Sequence, residues 1–201
     1  MRDSNASLEP LAALLRDEET LISSLVRDPR DDPALGALAA AGPRAAAARD
    51  DYLLLVEAIR EGYLLHYGTP RLIEAADPDL RLLAGDFLYA LGLERLAAHS
   101  DLEAVRELAD LISLSAQLHA EGGGEAPSAK VLWLASATAV GAGGNKSHER
   151  AKEALRTGRE EATELLAAAA SEMAHGAGIQ DALARASEAI GFAAEHLSDR
   201  G

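Results

Sequence analysis

The sequence predicts an all-α fold, a single helical bundle of 201 residues. Hydrophobic residues make up 48% of the chain but aromatic residues only 3%, so the core would consist mainly of leucine and alanine. Leucine, alanine, glutamate and arginine are abundant in the chain, and all four favour helices. No segment alternates for long between polar and apolar residues, as a half-buried strand would. A helical bundle is therefore the expected architecture.

The N-terminal part is predicted to contain one long helix and one short helix. Apolar residues recur at three- and four-residue steps from Leu11 to Leu25, which predicts a helix over 8–26. A loop rich in aspartate and proline follows at 28–33. The alanine-rich helix after it should end at Gly42.

Two longer helices are predicted in the middle of the chain. The first runs from Ala45 to Tyr67 and is ended by Gly68 and the proline that follows shortly after. The second begins at Asp77-Pro78, where an acidic N-cap precedes a proline at the first helical position. It should continue to about Ala97.

The next helices follow from a capping signal and from composition. Ser100 and Glu103 have the capping-box spacing, which predicts a helix from there to Glu121. The segment from Pro127 to Val140 is apolar on most sides, so we expect it at the centre of the bundle.

Two amphipathic helices, over 147–174 and 179–197, are predicted to close the chain. The whole chain is then one domain. Its parts are divergent N-terminal helices in 1–44, central helices in 45–143 and a C-terminal helix pair in 144–201.

Composition excludes several classes of function. A net charge of -14 argues against nucleic-acid binding, which needs clustered lysine and arginine. The absence of cysteine excludes disulfides and thiolate metal sites and suits a reducing cytosol. The longest near-apolar run, 131–143, is too short to cross a bilayer. Because the first five residues lack a signal-peptide layout, we expect a cytoplasmic protein.

Four segments together carry a family resemblance: Gly68-Thr69-Pro70, Leu82 to Leu88, Asp101 to Gly122, and Ser128 to Leu134. They resemble the trans-polyprenyl diphosphate synthase family, in which an Arg-Arg-Gly-x-Pro turn follows a DDxxD helix and precedes a Leu-Ala-Gly-Asp helix. The match covers roughly 52–200. It implies a reduced isoprenoid synthase fold, with 45–143 as the synthase-like central helices.

The resemblance places the first aspartate-rich motif at Glu57-Ala58-Ile59-Arg60-Glu61. Family members use such acids to bind the magnesium ions that hold a diphosphate. Only Glu57 and Glu61 remain here as candidate magnesium ligands. The alternative is that they belong to an ordinary charged helix surface.

The resemblance also assigns diphosphate contacts. The two arginines before the glycine turn are replaced by His66 and Tyr67, and Lys130 matches the lysine of the family's Lys-Thr helix. His66 and Lys130 are therefore the candidate substrate-binding residues. Beyond Lys130 the only aspartates are Asp181 and Asp199, and neither has the acidic neighbours of a second motif.

The implied function is that of a non-catalytic, polyprenyl-synthase-like subunit or regulator. The implied partner is a catalytic polyprenyl diphosphate synthase or a second copy of the chain, and no cofactor is expected. One alternative is a divergent prenyltransferase that retains activity with magnesium; another is a helical module that binds an apolar ligand or a protein. The candidate cavity-lining residues share helix faces and are otherwise plain core residues: Leu83, Phe87, Leu91, Leu114 and Leu118.

Overall fold

The computed structural model describes residues 7–18, 20–29, 31–122 and 127–192, and within these ranges the chain is helical without a β-sheet. The predicted all-α fold is confirmed. The helices are α1 (Glu9–Asp17), α2 (Ala34–Ala41), α3 (Arg49–Tyr67), α4 (Pro78–Ala98), α5 (Leu102–Ala120), α6 (Pro127–Ala142), α7 (Lys146–Arg156), α8 (Ala162–Ala177) and α9 (Gln180–Ala189). Short 3-10 turns occupy Ser23–Leu25 and Pro43–Ala45.

Helix α6 lies at the centre of the bundle, as its apolar composition predicts. Every residue from Val131 to Gly141 is buried. The helix contacts α2, α5, α7, α8 and α9. A helix enclosed on all sides has no face for polar residues, which accounts for its sequence.

Small residues allow α2 and α6 to pack closely. A Cβ atom placed on Gly141 would lie 2.2 Å from the backbone oxygen of Ala39, and one on Gly42 would lie 2.2 Å from the backbone of Gly141. Neither backbone atom can rotate away, so only glycine fits at these two positions.

We predict that Gly141→Ala lowers the free energy of unfolding by roughly 1–3 kcal/mol, because the added methyl group forces α2 and α6 apart. Gly176→Ala is the matched control, since nothing lies within 4 Å of a Cβ atom at that position of α8. The control should gain roughly 0.5–1 kcal/mol from higher helix propensity. Urea denaturation of both variants measures the two effects, and equal stabilities would contradict the close packing.

The first helix is shorter than predicted. Helix α1 ends at Asp17, and the chain then turns so that Val26 forms an antiparallel bridge with Ile73. The backbone N–H of Arg27 donates to the carbonyl of Leu72 at 2.7 Å, and the N–H of Glu74 donates to that of Leu25 at 3.0 Å. These bonds to a distant segment replace the helical bonds that the apolar spacing suggested.

The predicted helix over 147–174 is two helices, α7 and α8. The break falls at Gly158, whose φ of 66° is left-handed. The N–H of Arg159 closes the end of α7 by donating to the carbonyl of Ala154 at 2.9 Å. Likewise α9 ends at Ala189 rather than near 197, and positions 193–197 of that prediction lie outside the described residues.

The predicted helix starts hold to within a few residues. The Asp77 side chain caps α4 by accepting from the N–H groups of Asp79 and Leu80. At α5 the cap is Asp101, which accepts from Ala104 N–H, while Ser100 takes a φ of 60°. The capping box was therefore placed one residue too early.

Two apolar clusters form the core, and α3 contributes to both. The larger surrounds α6 and includes Leu55 and Ile59, whereas the smaller joins α1, α3 and α4 and includes Leu15, Leu65 and Leu88. Helix α3 therefore places its side chains between two packed layers. Among the described residues, no helix combines the length and apolar character that crossing a bilayer requires.

Candidate functional site

Glu61 is a buried anchor for the connection between α3 and α4. Its side chain has no exposed surface. Its Oε1 atom accepts from the backbone N–H groups of Arg71 at 2.8 Å, Leu72 at 2.7 Å and Ile73 at 3.3 Å. One carboxylate therefore satisfies three consecutive donors that would otherwise be buried without partners.

Glu57, one turn earlier on α3, is also fully buried. Its Oε1 atom accepts from the backbone N–H of Gly36 at 2.7 Å, and its Oε2 atom lies 2.8 Å from Nη2 of Arg71. The Nε atom of Arg71 donates to Oε2 of Glu61 at 3.3 Å. One guanidinium therefore bridges both carboxylates, and we call Glu57, Glu61 and Arg71 the α3 ion cluster.

The electrostatics of the α3 ion cluster favour the charged form of Arg71. Burial by itself lowers the pKa of Arg71, but the charges of Glu57 and Glu61 outweigh burial and raise it. The interpretation of these glutamates as an ordinary charged surface is wrong, because the fold encloses them. Their assignment as magnesium ligands stays a prediction, and in this geometry a metal ion would have to displace Arg71. Within the described ranges, no group of three potential metal-binding side chains converges.

Arg60 lies beside the α3 ion cluster and stacks on aromatic rings. Its guanidinium carbon is 4.8 Å from the ring centre of Tyr63 and 4.7 Å from that of Trp133. Burial lowers its pKa, and the neighbouring Arg71 adds to the effect, against the opposing influence of Tyr63 and Glu57. Sequence reasoning assigned Arg60 no role beyond its place in the motif segment, whereas in the fold it lines two depressions.

The two depressions beside Arg60 hold two of the predicted site residues. One, of about 220 Å³, is lined by Tyr67, His119 and Lys130 among others. The other, of about 460 Å³, lies against Glu57 and the loop before α2. Lys130 is exposed, and its Nζ atom donates to the carbonyl of Gly191 at 3.0 Å, which ties α6 to the end of α9.

His66 is turned towards α4 instead. Its Nε2 atom lies 3.1 Å from Oδ1 of Asp86, and its ring stacks on Tyr89 with centroids 5.2 Å apart. His66, which was predicted to bind a diphosphate together with Lys130, thus packs against α4. The structure does not bring His66 and Lys130 to a common depression.

The five candidate cavity residues do not line one cavity. Leu114 and Leu118 are buried in the larger cluster and Leu91 in the smaller one, while Phe87 packs at the edge of the smaller cluster. Leu83 is 55% exposed. Helix α4 packs through the face that carries Ala84, Leu88 and Leu91, and Leu83 points away from that face.

A second buried polar group, which sequence reasoning missed, joins α5 to α7. His148 and Lys152 are almost fully buried, and both contact Glu107. The Nε2 atom of His148 is 2.7 Å from Oε1 of Glu107, and Nζ of Lys152 donates to Oε2 at 2.7 Å. Lys152 also reaches Asp110 at 3.0 Å. We call Glu107, His148 and Lys152 the α5–α7 network; the spacing of four between its two basic members was the available signal.

The α5–α7 network holds Glu107 ionised. Burial raises the pKa of this carboxyl, but the bond from His148 and the charges of His148 and Lys152 outweigh it and lower the pKa to about 2. The same carboxylate raises the pKa of Lys152 against the effect of burial. The network therefore works as an internal ion pair that fixes α7 on α5.

A depression of about 510 Å³ lies beside this network. Its wall carries both Glu107 and Arg44, and Arg44 pairs with Asp101 at 2.6 Å. Burial raises the pKa of Tyr52 to about 12, helped by its hydrogen bond to Asp101. The bonds from Tyr52, Ala104 N–H and Arg44 lower the pKa of Asp101, although burial opposes them. These charges hold together the start of α3 and the start of α5.

No protein-family model, no curated protein and no solved structure matches this chain. The resemblance to polyprenyl diphosphate synthases therefore rests on the motif residues themselves.

Proposed function

We propose that this chain is a non-catalytic, polyprenyl-synthase-like protein that acts as a subunit or regulator of an active polyprenyl diphosphate synthase in isoprenoid biosynthesis. The proposal places it in the cytoplasm with its catalytic partner. The observation that carries it is the bridge from Arg71 to both Glu57 and Glu61. The two acids that match the first magnesium motif are engaged in holding the fold together.

The chemistry of ionisation explains why this bridge supports a non-catalytic role. An allylic diphosphate leaves as an anion, and bound magnesium ions stabilise that developing charge. Magnesium needs several accessible oxygen ligands. Here Glu57 and Glu61 face a guanidinium and backbone donors, so a metal ion would have to break a buried ion cluster before it bound. The second acidic motif of the family also has no counterpart after Lys130.

The test is reconstitution with a polyprenyl diphosphate synthase co-purified from the source cells. We expect the chain alone, with magnesium, allylic diphosphate and isopentenyl diphosphate, to give no product above background. Added to the synthase, it should change product yield or chain length in a saturable way. If the added chain changes neither the product yield nor the product length of the synthase, the proposal is refuted.

Product formed by the chain alone would favour the divergent prenyltransferase instead. In that case Lys130→Ala should abolish the product, since Lys130 is the exposed candidate for a diphosphate contact. Leu102→Asp, on an exposed position of α5, is the matched control for general damage and should leave the product unchanged.

A further inference from the structure

Helix α4 presents a surface that no other part of the described chain covers. Leu82 and Leu83 are 47% and 55% exposed, and they are adjacent, whereas the other strongly exposed leucines are scattered over different elements. The exposed positions continue at three- and four-residue steps along one face of the helix. We call this face the α4 surface; it comprises the exposed residues Asp79, Leu82, Leu83, Asp86, Ala90 and Glu94 and the half-buried Phe87.

A groove extends the apolar part of the α4 surface. It has a volume of about 290 Å³, and Phe87, Ala90 and Leu91 form its apolar side. The pair formed by Arg95 and Glu18, 3.1 Å apart, closes its far wall. An apolar side chain from outside would therefore find a depression next to the exposed leucines.

The charge on the α4 surface is entirely acidic. It carries Asp79, Asp86 and Glu94 and no lysine or arginine. Asp79 and Glu94 form no ion pair with any residue in the described ranges. The nearby Arg81 is turned inwards, where its Nε atom donates to the carbonyl of Leu65 at 2.6 Å. Asp86, in contrast, lies 3.1 Å from Nε2 of His66. The surface thus combines exposed leucines with two carboxylates, those of Asp79 and Glu94, that no described cation pairs with.

The acidic charge of the α4 surface favours some binding partners over others. Two copies of the chain facing each other through α4 would bring like charges together, which costs free energy. An acidic surface is also repelled by anionic lipid headgroups. A helix with leucines on one face and basic side chains beside them satisfies both the apolar and the acidic residues.

We propose that the α4 surface binds a basic amphipathic helix of a partner chain. Apolar side chains of that helix cover Leu83 and Phe87 and enter the groove. Its lysine or arginine residues, spaced about two turns apart, match Asp79 and Asp86, which lie about 10 Å apart along α4. The inference rests on the proposed function, because a subunit needs a surface for its partner, and it names the chemistry of that partner.

The probe is a fluorescently labelled peptide of about five helical turns with leucines in heptad positions and lysines beside them. Fluorescence anisotropy with the full chain measures its affinity. We expect Leu83→Asp to weaken binding at least about tenfold, because it places a charge at the centre of the apolar contact. Asp79→Lys should weaken binding to a similar extent and reduce its salt dependence. Leu102→Asp, at a position 69% exposed on α5, is the control and should bind as the unaltered chain does.

Three results would overturn the inference. The first is equal affinity for a peptide in which every lysine is replaced by glutamate. The second is full affinity of Leu83→Asp in a chain whose circular dichroism shows intact helices. The third is dimerisation of the chain that Leu83→Asp abolishes, since the surface would then serve a second copy. Peptide binding as expected, with no effect of the chain on any co-purified synthase, would refute the synthase partnership and leave the α4 surface as a docking site.

Discussion

Arg71→Leu is expected to lower the free energy of unfolding by about 3–5 kcal/mol. The substitution removes the cation that bridges Glu57 and Glu61, whose side chains are 1% and 0% exposed, and leaves both carboxyl groups enclosed without it. Glu61 keeps its three backbone donors, but Glu57 keeps only the N–H of Gly36. Urea denaturation at neutral pH measures the loss.

A matched control and a compensating variant separate this cause from a general effect of losing arginine. Arg156→Leu removes an exposed arginine that pairs with Glu153 on the surface of α7, and it should cost less than about 1 kcal/mol. Adding Glu57→Gln to Arg71→Leu should recover part of the stability, because the amide carries no charge to leave unpaired. A loss for Arg71→Leu no larger than that for Arg156→Leu would contradict the buried bridge.

Acid should remove a second large contribution to stability, that of the α5–α7 network. The folded chain lowers the pKa of Glu107 from 4.5 to about 2. The unfolded chain therefore binds the proton more readily, so the contribution is fully present above about pH 4.5 and disappears as the pH falls towards 2. A shift of this size corresponds to about 3 kcal/mol at neutral pH.

The variant Glu107→Gln isolates this contribution. Its stability deficit against the unaltered chain should have its full size above about pH 4.5 and should shrink between pH 4.5 and 2, as Glu107 itself becomes neutral. Thermal unfolding followed by circular dichroism across that range measures the deficit. Glu160→Gln, at an exposed position, should show no such trend. A deficit for Glu107→Gln that stays constant with pH would show that the ion pair with Lys152 and His148 contributes little.

Local signals in the sequence predicted the helices well where the helix ends are determined locally. Asp77-Pro78 starts α4, and the uniformly apolar segment after Pro127 becomes the enclosed helix α6. Both depend on backbone donors and burial within a few residues. The predicted length of the first helix was wrong because Val26 pairs with Ile73. A contact between positions so far apart in the sequence leaves no periodic pattern of apolar residues.

The candidate site was harder to predict, since burial of charge depends on the whole fold. Glu57 and Glu61 were found as a pair, but a spacing of four is the same on a surface and in a core. What encloses them is Arg71, beyond the end of α3, together with Gly36. The α5–α7 network has the same character, because Glu107 lies on a different helix from His148 and Lys152.

The bridge between Val26 and Ile73 bears on the order in which the chain assembles. The strand-like pairing of 25–27 with 72–74 needs the latter segment to be held in place, and Glu61 holds it through three backbone donors. Closing the loop between Val26 and Ile73 costs conformational entropy, and local contacts within the loop do not offset that cost. We therefore expect the segment at 25–27 to dock only after Glu61 has fixed the segment at 71–73.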